Sequence, residues 1–202
     1  TGLQQDDGLV IGIGGEHSLT PPLVAAALAG KAAWSDLTVV QLDAHADLRD
    51  HYEDTPYSHA CAMRRLVERG AHLLAIGIRS AERQEAEYGR DCNRVKTFWA
   101  HELAADDTPL LQTLSQLRGN VYLSIDIDAL EVHLCPATGT PQPGGLGWWQ
   151  TLRYLRALLH RRRDIHLLGC DLVETAPMPT SSVNEFVAAR LLCKVLAYRF
   201  AP

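Results

Sequence analysis

The chain has 202 residues, which suits one large domain with a sizeable core. Hydrophobic residues make up 47% and charged residues 21%, a balance that excludes a disordered or fibrous chain. The net charge of -5 argues against a nucleic-acid-binding surface and agrees with a small cationic ligand.

The opening stretch, Thr1–Gly8, is polar, unlike a signal peptide, and does not begin with Met, as expected for a fragment or the ordered part of a longer chain. Leu9–Ile13 reads as a short buried strand ended by Gly14-Gly15, and Leu19–Ala33 as a helix with Pro21 and Pro22 in its first turn. Thr38–Leu42 is a second strand. Cys61–Arg69 is a helix stopped by Gly70, and His72–Ile78 a third strand. Ala81–Tyr88 is helical up to Gly89, and Val95–Phe98 is a short fourth strand. Leu110–Leu117 is helical, Val121–Ile127 a fifth strand, Trp148–His160 helical and Ile165–Leu172 a sixth strand; Asn184–Tyr198 is the closing helix. Near-continuous apolar strands alternating with helices predict an α/β fold, a three-layer αβα sandwich around a mainly parallel sheet, in a single domain over 1–202. No apolar run reaches the ~18–20 residues that span a membrane. The five cysteines are odd in number, widely spaced and without a CxxC pair, which predicts reduced thiols and a cytoplasmic setting. Two long irregular stretches remain, Ala44–His59 and Ala129–Gly147, and loops of that length in a compact domain are usually functional or disordered.

Polar residues gather just beyond the predicted strands. His17 follows the first; Asp43, His45 and Asp47 end the second; Asp126 and Asp128 end the fifth; Glu174 follows the sixth. In a parallel sheet all strand C-termini share one edge, where ligands bind. Carboxylates crowded there raise one another's pKa, and a bound cation relieves the repulsion. On an extended chain residues two apart point the same way, so D-x-H-x-D and D-x-D can each aim into one pocket. A lone DxD is more often a solvated loop or a cap, but its convergence with DAHAD and His17 favours metal. Four Asp and two His form a mixed N/O set that favours manganese, or another divalent ion of intermediate hardness, over a thiolate zinc site. They offer more carboxylates than one ion needs, and two ions about 3.5–4 Å apart can activate one water. Gly12-Ile13-Gly14-Gly15 fails the dinucleotide pattern, since His17 stands where its last glycine belongs, and no organic cofactor site is expected. Trp148-Trp149 reads as core or interface.

At these residues a family resemblance becomes specific. GGEHS (Gly14–Ser18), DAHAD (Asp43–Asp47) and SIDIDAL (Ser124–Leu130) resemble the three signatures of the arginase/agmatinase, or ureohydrolase, family. YSHACAMRR (Tyr57–Arg65), IGIRS (Ile76–Ser80), PATGTPQPGGL (Pro136–Leu146) and DLVETAP (Asp171–Pro177) extend the likeness, which is nearest to bacterial and archaeal agmatinases. The resemblance implies two manganese ions, one held by His17, Asp43, Asp47 and Asp126, the other by Asp43, His45, Asp126 and Asp128. It implies hydrolysis of agmatine to putrescine and urea, with Asp47 passing a proton to the leaving amine, Glu174 pairing with the guanidinium and His59 as outer proton shuttle. Chemistry supports those roles. A guanidinium carbon is a poor electrophile, a carboxylate fork fixes the guanidinium's orientation, and the leaving amine needs an acid. The family's N-terminal segment, with its edge strands and a substrate-shaping loop, has no counterpart here, which predicts an unpaired apolar edge at the first strand. A homo-oligomer, trimer or hexamer, is implied, with no nucleic-acid or membrane partner. Beyond Asp47, Arg49 would suit a carboxylate-ended substrate such as guanidinobutyrate, and Asp50 or Glu53 an amine-ended one. The alternatives are another guanidino-compound ureohydrolase, guanidinobutyrase or arginase, and a metal-binding assembly subunit without activity.

Overall fold

Six apolar runs form one sheet in the computed structural model, which describes residues 9–200; the polar opening stretch lies outside the described residues. The strands are β1 (Ile11–Ile13), β2 (Leu37–Leu42), β3 (His72–Ile78), β4 (Val95–Trp99), β5 (Gly119–Asp126) and β6 (Ile165–Val173). Their order is β1-β6-β5-β2-β3-β4 and every pairing is parallel. All six C-terminal ends therefore meet at one edge. The helices are α1 (Thr20–Leu28), α2 (Ala62–Glu68), α3 (Arg83–Asp91), α4 (Ala100–Ala105), α5 (Thr108–Gln116), α6 (Trp148–Leu159) and α7 (Val183–Phe200). None is long and apolar enough to cross a membrane.

Period-two alternation divides the core between the two faces of the sheet. Val40 and Leu42 of β2 join Leu123, Ile125, Leu114, Leu155 and Leu191 in one apolar layer. Leu37 and Val39 join Val24, Met63, Leu66 and Leu73 in the other. Strands covered on both sides must be apolar throughout, which is why the runs read as near-continuous. Among the described residues β1 is an edge strand that pairs with β6, and the Ile13 side chain is 77% exposed.

Several boundaries differ from the sequence reading. α1 stops at Leu28, where Ala29 turns to extended backbone and Gly30 adopts φ 71°. α3 runs through Gly89 to Asp91, because Gly89 is absent from the left-handed backbone that ends a helix and the helix closes only where Cys92 turns extended. It starts later than predicted, at a capping box in which Glu82 N donates to Glu85 Oε2 at 2.8 Å. α4 is too short to leave a helical period in the sequence.

Candidate metal centre

Backbone stapling at the strand ends sets the site. Asp43 follows β2, and its N–H donates to Ile76 O at 3.1 Å. Arg79 N and Ser80 N, just past β3, donate to Ala44 O at 2.8 and 2.9 Å. Gly77 makes this approach feasible. Its φ is +92°, and a Cβ there would sit 3.2 Å from Asp43 O. The D-x-H-x-D segment is not extended strand. Asp43 Oδ1 accepts from His45 N at 2.7 Å and folds the chain back, and Asp47 sits in left-handed backbone at φ 53°. Asp126 Oδ1 accepts from Asp128 N at 2.9 Å as β5 passes into a short 3-10 turn, Ile127–Ala129. The side chains converge, but through turns and not through simple alternation.

His17 sits on a 3-10 turn after β1, and its N–H donates to Glu174 Oε1 at 2.8 Å. Glu174 N donates to Gly15 O at 2.7 Å, with Glu174 at φ 62°. Asp47 and Glu174 are thus both non-glycine residues in left-handed backbone, a strain that collects at functional sites.

Nδ1 of His17 lies 3.1 Å from Asp43 Oδ2, 3.0 Å from Asp47 Oδ2 and 3.4 Å from Asp126 Oδ2. Among the described residues none is aligned to hydrogen-bond this buried nitrogen. Nδ1 of His45 lies 3.0 Å from Asp128 Oδ2 and 3.7 Å from Asp43 Oδ1. Two compact donor sets follow, His17–Asp43–Asp47 and Asp43–His45–Asp128, with the atoms of each within 4.8 Å of one another. Asp43 belongs to both. Asp126 turns Oδ2 toward His17, while its Oδ1 is taken by Asp128 N.

The charges are frustrated without a cation. Burial and the Asp43 charge push the Asp47 carboxyl up to about 7. Burial and the same charge raise Asp126. Burial would lower both imidazoles, but Asp126, Asp43 and Asp47 raise His17, and Asp128 and Asp43 raise His45 to about 11. Protons are retained at the positions where cations would sit. An orphaned ring nitrogen facing three carboxylates, and a second set sharing Asp43, fit a pair of divalent cations.

A cleft of about 290 Å³ opens over this centre, and His17, His45, Asp47, Asp126, His59 and Glu174 all line it. His59 is half-exposed, with Nδ1 3.3 Å from Glu16 Oε1 and its ring edge-on to Tyr52. Arg49 also lines the cleft, but its guanidinium is engaged. It lies 2.9 Å from Glu82 Oε1 and 3.7 Å from Glu85 Oε2, stacked over Tyr52. Asp50 points to Arg65 and His51, and neither Asp50 nor Glu53 is among the residues that line the cleft.

Sequence reasoning missed six contributors. Gln41 Nε2 donates to Asp43 Oδ2 at 2.7 Å, and Ser124 and Asp171 stand behind His17. Glu16 meets His59. Arg79 holds the loop that carries Thr140, whose hydroxyl lies 3.5 Å from Asp128 Oδ2. Gln41, Ser124 and Asp171 did leave a signal, each being a polar residue close to the C-terminal end of a largely apolar strand.

The sequence model of the arginase family matches residues 2–198. The N(1)-aminopropylagmatine ureohydrolase of Synechocystis sp. is 39% identical over 195 residues, which cover 96% of this chain and 62% of that protein. The agmatinase of Pyrococcus horikoshii is 34% identical over 188 residues, 93% of this chain and 62% of the relative. The crystal structure of the agmatine ureohydrolase of Thermoplasma volcanium superposes with a TM-score of 0.81 at 30% identity, over 95% of this chain and 62% of that one. The chain thus spans a little over three-fifths of the length of these relatives. With the family match running through GGEHS, DAHAD and SIDIDAL, the chain belongs to the arginase family.

Proposed function

We propose that the chain is a binuclear-metal ureohydrolase that hydrolyses the guanidino group of agmatine or an N-extended agmatine, releasing urea and the corresponding amine. The observation that carries this reading is the pair of donor sets sharing Asp43 beneath a cleft that also holds Glu174 and His59. His17, Asp43, Asp47 and the Oδ2 of Asp126 would hold one manganese ion, and Asp43, His45 and Asp128 the other. When bound, such a pair supplies a nucleophilic water at neutral pH and neutralises the acids. Glu174, part-buried on the cleft wall, binds the guanidinium and orients its carbon toward the centre. Asp47 moves a proton to the leaving nitrogen. His59, half-exposed at the mouth, exchanges that proton with solvent, and Glu16 holds its ring.

The mouth favours an amine-ended substrate. Arg49, the cation that would greet a substrate carboxylate, is already neutralised by Glu82 and Glu85. Two relatives named for agmatine and aminopropylagmatine fit that polarity. The test is urea release, with and without manganese, from agmatine, N(1)-aminopropylagmatine, arginine and 4-guanidinobutyrate. The expected result is manganese-dependent release from one of the first two, abolished in an Asp126→Ala/Asp128→Ala variant. Best turnover of a carboxylate-ended compound would overturn the substrate assignment. Full metal occupancy with no release from any compound would point to a non-catalytic assembly subunit.

A further inference from the structure

Behind His17 runs a polar column that the hydrolysis does not use. His17 Nε2 lies 2.9 Å from Ser124 Oγ, and Ser124 Oγ donates to Asp171 Oδ1 at 2.7 Å. The Tyr122 hydroxyl donates to Asp171 Oδ2 at 2.9 Å, and Thr20 Oγ1 lies 3.4 Å from Ser124 Oγ. All five side chains are buried. The register of the sheet places Ser124 directly opposite Asp171 across β5 and β6. Gly169 leaves room for the Tyr122 ring, since a Cβ there would come within 2.7 Å of Tyr122 Cε2. A buried carboxylate ringed by hydroxyls is costly in a sheet interior, where apolar side chains would pack without penalty. Its retention calls for a use.

The donor count supplies one. A serine hydroxyl has a single proton. Ser124 gives that proton to Asp171, so toward His17 it can only accept. Nε2 of His17 must then carry a proton, so in the neutral ring that a cation would bind, the lone pair is on Nδ1, facing Asp43, Asp47 and Asp126. We propose that Asp171 is a positioning residue that acts through Ser124 to lock His17 in the Nε2-protonated tautomer, keeping Nδ1 as a cation ligand. This rests on the reading of His17 as a metal ligand and adds the residues that prepare it. Outer partners of ligating histidines typically carry about 10–100-fold in metal affinity.

The experiment compares the parent chain with Ser124→Ala and Asp171→Asn. Manganese binding is followed by calorimetry with ion counting, and histidine ring nitrogens are read by NMR in the zinc-loaded forms. The parent should bind two ions, with His17 joined through Nδ1 and a protected Nε2 proton. Ser124→Ala should weaken one of the two sites about 10–100-fold, leave the His45 site within about twofold, and lose the protection of that proton. Asp171→Asn should weaken the same site to a smaller degree, because an amide oxygen can still accept from Ser124. If Asp171→Asn does not fold, Ser124→Ala, which removes one oxygen, decides alone. Parent-like affinity in Ser124→Ala, equal weakening of both sites, a parent His17 joined through Nε2, or a parent that binds no ion would each overturn the proposal. Intact two-site binding without urea release would instead count against the proposed reaction and leave the relay standing.

Discussion

Arg79 ties the irregular stretch after β5 to the metal centre, and its removal gives the sharpest test of how the site is held. Nη2 donates to Asp128 O at 2.7 Å and Gln142 O at 2.8 Å, Nε to Pro143 O at 3.0 Å and Nη1 to Gly77 O at 3.1 Å. Longer contacts reach Leu130 O and Ala129 O. Hydrogen bonds to a charged group each contribute about 1.5–3 kcal/mol. The loop carbonyls regain water once released, so the net cost of Arg79→Ala is roughly 3 kcal/mol, well below the sum of four bonds. For a domain of this size 1 kcal/mol moves the melting temperature by about 2–4 °C, so the metal-free variant should melt about 6–12 °C lower. Arg79→Lys, keeping one or two of the bonds, should recover part of that. The freed segment, 130–147, should become the first site of limited proteolysis. Affinity at the His45–Asp128 site should fall as well, because Arg79 anchors the Asp128 backbone directly. Should Arg79→Ala melt within about 2 °C of the parent with the segment uncut, the anchoring role is wrong.

Further expectations concern protons, backbone and thiols. The Asp47 carboxyl, pushed up to about 7, holds a proton below that pH that a cation must displace. Manganese affinity should therefore rise with pH through about 7, with protons released on binding, as calorimetry in two buffers of different ionisation enthalpy can measure. The same raised acid pKa means the folded, metal-free chain binds the proton more tightly than the unfolded chain. Its contribution to stability is therefore present below the ordinary carboxylate range and is lost as pH climbs toward 7. Gly77→Ala, at φ +92° and against Asp43 O, should cost about 1–3 kcal/mol in thermal unfolding and weaken both ion sites, because both use Asp43. Of the five free thiols, exposed Cys193 should label first at pH 8; buried Cys135, its thiol pushed up to about 12 by burial, should label only after unfolding.

Much of the fold was legible because parallel strands buried on both faces must be apolar throughout, and all six runs became strands. The helix ends were less legible. Gly89 reads as a stop, yet it keeps out of left-handed backbone and lies within α3, which ends at Asp91. The acidic and histidine side chains that converge could be read from their positions at the ends of β1, β2 and β5. Their mode of convergence could not, since it depends on the Asp43–His45 turn and on the left-handed backbone of Asp47. Arg49 shows the same limit at the cleft mouth. It reads as a free cation in the sequence and is neutralised by acids on another element, at Glu82 and Glu85.

β5 shows how one strand serves both stability and function. Val121, Leu123 and Ile125 face the layer built with α5, α6 and α7. Tyr122, Ser124 and Asp126 point the other way and form a polar file that ends in the acid cluster. Alternation thus assigns odd positions to packing and even positions to the polar file that leads to the candidate metal centre. Neighbouring substitutions should therefore fail in different ways. Leu123→Ala opens a cavity in a fully buried position and should cost about 2–5 kcal/mol of folding free energy while leaving both ion affinities close to the parent. Ser124→Ala leaves Asp171 Oδ1 and His17 Nε2 short of a partner, so it should cost about 1–3 kcal/mol in unfolding, and it should weaken one ion site selectively. Comparable losses of stability and affinity in both variants would mean that the two faces are mechanically coupled, and the division of labour along β5 would fail.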